Sequence, residues 1–176
     1  MAATDGKHYL FTAAGADDTD HVLALYRSVS GGDFCTWNEF YPGFREITAD
    51  YASGNLFVLR DDGRIIGAIS IVPENELDEL DFWRRKEGKI AEIARVAIAP
   101  GYQGKGLALH MVYEIEKILM SRDYCAVHLL AALTNIPACR TYQKAGYQRL
   151  GECDMYGHRF CVYEKSLDIV MERGKQ

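Results

Sequence analysis

The residues with the clearest chemical potential lie in positions 92–109, EIARVAIAPGYQGKGLAL. An apolar run alternates through Ala94, Val96 and Ile98 and stops at Pro100. Gln103, Gly104, Lys105 and Gly106 follow, and a helical pattern opens at Leu107. Such a turn presents unpaired backbone N–H groups at a helix N-terminus, where the dipole favours negative charge. Its glycines let a bulky anion approach the main chain. The expected chemistry is capture of a pyrophosphate. Neither of two familiar phosphate motifs fits. A P-loop requires Lys and Ser/Thr after its last glycine, where Leu107 and Ala108 stand. A dinucleotide fingerprint starting at Gly104 requires Gly or Ala at 109, which is Leu109.

The pattern that does fit is Gln-x-x-Gly-x-Ala, at Gln103, Gly106 and Ala108. It resembles the acetyl-CoA signature of the GNAT N-acetyltransferase superfamily. A second stretch, NIPACRTYQKAGY over residues 135–147, sets Asn135, Ala138, Tyr142, Lys144, Gly146 and Tyr147 in that family's spacing. The resemblance implies an α/β (α+β) GNAT fold. Its mixed, twisted sheet of six to seven strands has two central parallel strands that splay apart, with about four flanking helices. It also implies one acetyltransferase domain over 1–176, with a cofactor core near 90–147 and acceptor-side elements near 30–54, 73–88 and 154–158.

By the same resemblance, acetyl-CoA is a co-substrate and no metal is needed. The backbone of Val96, Ala97 and Ile98 pairs with the pantetheine arm, like an added strand. N–H groups of Gln103, Gly104, Lys105, Gly106, Leu107 and Ala108 hold the pyrophosphate. Asn135, near Ala138, bonds the pantetheine or caps the short helix. Tyr142 is the family's acid for the departing thiolate, or it positions the sulfur. Glu92 is the candidate base, because an amine with a pKa near 10 must lose a proton before attack. Period two places it on one strand face with Ala94, Val96 and Ile98. The alternative for Glu92 is solvation or pairing with Lys89. Cys139, three residues before Tyr142, permits an acetyl-cysteine route or is simply a buried thiol.

The elements that must position these groups are legible in outline. Residues 9–13 read as a strand. Asp17, Asp18 and Thr19 offer caps for a helix near 21–30, and a second helix covers about 43–52. Strands at 56–60 and 64–72 flank Asp61-Asp62-Gly63, a hairpin signal. A long polar connection, 73–88, leads to the strand at 90–98. A helix near 105–121, a strand near 125–132, a short helix at 138–144 ended by Gly146, and strands near 147–153 and 158–166 complete the series. Acceptor specificity is expected from three segments. They carry Trp37, Glu39, Tyr41 and Phe44; Glu76, Asp78 and Trp83; and Asp154, Tyr156 and His158.

Composition sets the bounds. The 176 residues, 48% hydrophobic and 26% charged, suit a single globular domain. A net charge of −5 without a basic stripe argues against nucleic acid as partner. No segment approaches the roughly 20 apolar residues of a membrane span. Five cysteines without a C-x-x-C pair read as buried reduced thiols in a cytoplasmic protein, not as zinc ligands or disulfides. The expected partner is a small-molecule amine acceptor, and the protein is expected to be a monomer or homodimer. Peptide or protein amines, and a non-catalytic acyl-CoA sensor on the same fold, are the alternatives.

Overall fold

The computed structural model describes residues 7–73 and 76–167. Strand β1 is Leu10–Ala13 and helix α1 is Thr19–Val29. Helix α2 is Phe44–Ala52, and β2 and β3 are Leu56–Asp61 and Arg64–Val72. Strand β4 is Ile90–Ile98 and α3 is Leu107–Ser121. Strand β5 is Ala126–Ala132 and α4 is Ile136–Lys144. Strands β6 and β7 are Gln148–Met155 and His158–Ser166. The expected order of elements holds, with seven strands and four α-helices among the described residues. Boundaries differ from the sequence reading by only a few residues.

Local chemistry explains most of these limits. Asp62 and Gly63 both adopt positive φ, 46° and 83°, which matches the tight β2–β3 turn to the sheet's twist. Gly146, at φ 88°, ends α4 as expected. Asp18, in contrast, does not cap α1. Its carboxylate accepts from the Gly15 N–H and from Arg60 at 2.6 Å each.

The strands form one sheet in the order β1-β2-β3-β4-β5-β7-β6. The β4–β5 pair is parallel and the other neighbours run antiparallel. On one face, α3 buries Leu107, Met111, Val112, Ile115 and Leu119 against Ile69, Ile71, Ile93 and Ile98. Gly67 sits at this contact, where a Cβ would lie 3.0 Å from both Ile98 Cδ1 and Met111 Sδ. On the other face, α1 and α2 pack Val22, Leu25, Tyr26 and Ile47 onto Val58, Ala68 and Ala97. The rest of that second face, over β5–β7, is covered by Leu77 and Trp83 of the 73–88 connection, packed on Val162.

All five cysteines are free. Only Cys161 is buried, and Cys35, Cys125, Cys139 and Cys153 are half-buried, which corrects the expectation of buried thiols. Among the described residues, no helix is long and apolar enough to cross a membrane.

Candidate functional site

Strands β4 and β5 pair only through Ile90–Ala126, Ala91–Val127 and Glu92–His128. Beyond Glu92, β4 continues to Ile98 on β3, while β5 continues to Ala132 on β7. Among the described residues, their facing edges over residues 93–98 and 129–132 therefore have no partner strand. The result is a V-shaped opening with Glu92 at its vertex. An extended chain with alternating donors and acceptors can enter there as a strand would.

The mouth of the V carries the glycine turn. Gly104 and Gly106 both adopt φ 76°, and Gly106 is the N-cap of α3. Among the described residues no side chain caps this helix, and the His110 N–H is the first to bond back, to the Gly106 carbonyl at 3.0 Å. The first-turn N–H groups are thus left to an incoming acceptor of hydrogen bonds. The Gln103 side chain turns inward and donates to the Ile98 carbonyl at 3.0 Å, tying the turn to the end of β4. A Cβ on Gly104 would meet no protein atom within 4 Å, so its left-handed backbone, not protein crowding, calls for glycine. Across the V, Asn135 caps α4 by accepting from the Ala138 N–H at 3.1 Å.

Tyr142 projects from α4 into the core beside Tyr147 and Tyr163, at ring distances of 5.8 and 6.0 Å. Its hydroxyl donates to no protein group among the described residues. Burial, with added repulsion from Cys139 and Glu92, holds its proton well above the usual tyrosine range. The phenol therefore stays protonated at neutral pH. Cys139 itself points its thiol toward the Ala132 carbonyl at 3.8 Å, and its neighbours Cys161 and Tyr163 supply no basic group.

Strand β4 departs from strict alternation in the middle. Ala94 pairs with Ser70 and Ala97 with Ala68, so Arg95 and Val96 together oppose one residue of β3. Arg95 carries the bulge, with φ 52°. The sequence reading put Glu92, Ala94, Val96 and Ile98 on one face, and the bulge corrects this. Glu92 and Ala94 share their face with Ala97, whereas Ile98 and Val96 pack on the α3 side.

Glu92 does not pair with Lys89, whose ammonium donates to the Arg122 carbonyl at 2.8 Å and lies over the Tyr124 ring. Burial raises the Glu92 pKa to about 7. The Arg95 charge opposes this rise, and Asp78, Glu76 and Asp50 add to it. Arg95 is held by Asp50 through two bonds, Nε–Oδ2 at 2.8 Å and Nη2–Oδ1 at 2.7 Å, and it reaches the Tyr41 hydroxyl at 3.4 Å. Tyr156 donates to Glu76, and its proton is held more tightly by burial and by Glu76, Glu92 and Tyr41. All three expected acceptor segments thus contribute groups around Glu92.

Other expected residues do different work. Trp37 packs edge-on against Tyr26, 5.2 Å between rings. Trp83 is 3% exposed and stacks on His128 at 3.8 Å, so it holds its segment down, and with His128, Asp78 and Tyr124 it also lines a pocket of about 440 Å³. His128 bonds Glu164 at 3.1 Å, and Glu164 also accepts from the Arg84 and Arg85 N–H groups. Asp154 pairs with Arg159 at 3.5 Å. Phe44 remains half exposed on α2. Sequence reasoning missed Arg95, Asp50, His128 and Glu164. A signal for Arg95 was present, since it and Glu92 are the two charges in the otherwise apolar run of β4.

Comparisons with known proteins agree with this geometry. A model of the Acetyltransferase (GNAT) family matches residues 11–147. A GNAT-family acetyltransferase structure from Streptococcus agalactiae superposes with TM-score 0.75 at 19% identity, covering 90% of this chain and 95% of that one. A Salmonella typhimurium structure that includes its cofactor acetyl-CoA gives TM-score 0.74 at 16% identity, covering 93% and 96%. The ribosomal-protein-S18-alanine N-acetyltransferase of Escherichia coli gives 0.71 at 13% identity, covering 96% and 100%. In sequence, a streptothricin acetyltransferase of Escherichia coli is 29% identical over 70 residues, only 40% of this chain and 40% of that relative. The family match spans the strands, the turn and the helices that build the V, and the chain belongs to the GNAT acetyltransferase family.

Proposed function

We propose that the protein moves the acetyl group of acetyl-CoA to a primary amine of a small molecule, by direct attack while both substrates are bound. The observation that carries this reading is the V between β4 and β5, with Glu92 at its vertex and an uncapped helix N-terminus at its mouth. The residues present fit acetyl-CoA. Free strand edges at Val96, Ala97 and Ile98 suit the amide-bearing pantetheine, and the turn from Gln103 to Ala108 suits the pyrophosphate.

When bound, acetyl-CoA supplies an activated acyl group in a thioester. Glu92 accepts the proton that the ammonium must lose before its nitrogen can attack. With a pKa of about 7 the carboxylate is a far stronger base than an exposed one, yet it is substantially ionised at neutral pH. A backbone N–H in the unpaired stretch of β4 donates to the oxygen as charge develops on it. Tyr142, protonated and with a free hydroxyl, gives a proton or a strong hydrogen bond to the departing sulfur. Cys139 lacks a basic partner, which favours direct attack over an acetyl-cysteine route.

The acceptor side supports a small molecule, because the 76–86 segment is packed onto His128, Glu164 and Val162 and is joined by the Tyr156–Glu76 bond to the β6–β7 turn near Glu92. The test is chromatographic detection of free CoA after incubating the protein with acetyl-CoA and a panel of polyamines, amino acids, aminoglycosides, arylalkylamines and short peptides. Release that depends on a small amine supports the proposal. Release with peptides alone assigns a peptide acceptor. Acetyl-CoA binding without turnover on any amine assigns a sensor.

A further inference from the structure

The ion pair between Asp50 and Arg95 is not used by the transfer chemistry above. Both side chains are nearly buried, 10% and 12% exposed. A buried pair adds little net stability, because each partner gives up its hydration. Its position gives it another role. Arg95 stands at the β4 bulge, where positive φ turns its side chain onto the Glu92 face. Its carbonyl accepts from the Tyr26 hydroxyl at 3.2 Å, and its guanidinium is gripped by Asp50 and touches Tyr41. Groups from α1, α2 and the connection between them therefore fix one positive charge on that face, three residues from Glu92.

The other groups around Glu92 are mostly acidic or neutral. Asp50 comes from α2, Glu76 and Asp78 from the connection after β3, and Tyr156 from the β6–β7 turn. Tyr142 approaches from α4, and Tyr41 precedes α2. His128 is the neighbour on β5, with Glu164 bonded to its ring. Without a fixed cation, a carboxylate in this company would keep its proton at neutral pH.

Building on the reading of Glu92 as the base, we propose that Asp50 and Arg95 are a positioning pair that sets the pH at which Glu92 ionises. Arg95 supplies the opposing charge. Asp50 fixes where that charge sits and offsets part of its field. The two residues therefore act on Glu92 with opposite signs.

The test is a 13C NMR titration of protein labelled at glutamate side-chain carboxyls, with the Glu92 signal assigned by its loss in Glu92→Gln. Arg95→Gln should raise the Glu92 midpoint by about 1 pH unit, and Asp50→Asn should lower it by about 1 pH unit. The double variant should return toward the parent value. Absent shifts, or shifts of the same sign, in folded variants would overturn the proposal. Should Arg95→Gln not fold, the near-isosteric Asp50→Asn decides alone: a downward shift supports the pair, and no shift or an upward one overturns it. The base reading is judged separately, since unchanged turnover in Glu92→Gln would remove it and leave the titration result standing.

Discussion

Glu92 and His128 face one another in the last parallel pair between β4 and β5. Below them the sheet is continuous, and above them it is open. That boundary places a partly buried carboxylate at the vertex of the cleft. On the other strand it places a histidine that carries Trp83 and, through Glu164, the 76–86 segment. The point at which the strands part thus organises both the proposed chemistry and the wall beside it.

Tyr142→Phe removes one hydroxyl from a buried ring and leaves the packing against Tyr147 and Tyr163 intact. Turnover should fall roughly 10²-fold, with acetyl-CoA affinity retained. Steady-state rates set beside calorimetric acetyl-CoA binding check this. Unchanged turnover would remove the acid assignment.

The base assignment gives a pH dependence of defined sign. With acceptor saturating, kcat should rise as pH passes through about 7, where Glu92 loses its proton. Glu92→Gln should lower kcat by about 10²–10⁴-fold and abolish that limb.

The same shift bears on stability. Folding raises the Glu92 pKa from 4.5 to about 7, so between those values the folded protein binds more protons than the unfolded chain. Stability from this group is fully present below pH 4.5 and declines as pH rises to about 7. Glu92→Gln should therefore be more stable than the parent at pH 8, by up to roughly 3 kcal/mol, and should gain nothing near pH 4. Denaturant melts at the two pH values measure the difference. A gain of equal size at both would contradict the linkage.

Gly104→Ala separates conformation from ligand approach. The new methyl meets no protein atom, so folding should lose only about 1–2 kcal/mol for the left-handed backbone. If phosphate oxygens lie against this turn, KM for acetyl-CoA should rise at least about 10-fold. Loss of stability with KM unchanged would leave the turn without a phosphate role.

Trp83→Ala should act on the acceptor side alone. Its ring is buried on His128, so its removal should cost about 3–4 kcal/mol and loosen the segment bearing Glu76 and Asp78. KM for the amine should rise several-fold while KM for acetyl-CoA holds. Equal loss for both substrates would mean that the segment supports the whole sheet and not the acceptor wall.

The fold was readable because its signals are local. Alternation marks the strands, Asp62-Gly63 forces a tight turn, Gly146 ends α4, and Gln103, Gly104 and Gly106 mark a helix mouth fit for an anion. Each of these depends on backbone freedom or side-chain period within a few residues. The residues around Glu92 were harder to read because their contacts span long separations, as with Asp50 and Arg95, or Arg84 and Glu164. Trp83 shows the difficulty well. An aromatic residue in a polar connection fits a substrate wall or a buried anchor equally, and only the folded chain shows that it stacks on His128 while lining a pocket beside it.

Sequence by itself determined the order of elements, the glycine turn and the residues of the two motifs. Tertiary structure decided which of them meet. Period-two counting would turn Arg95 toward α3 and its apolar core, where an unpaired charge is costly. Pairing with β3 instead inserts an extra residue at the bulge, returns Arg95 to the Glu92 face, and sends Val96 and Ile98 to the other. A bulge arises from the register of two strands, and register is a property of the pair, so a single strand's pattern does not contain it.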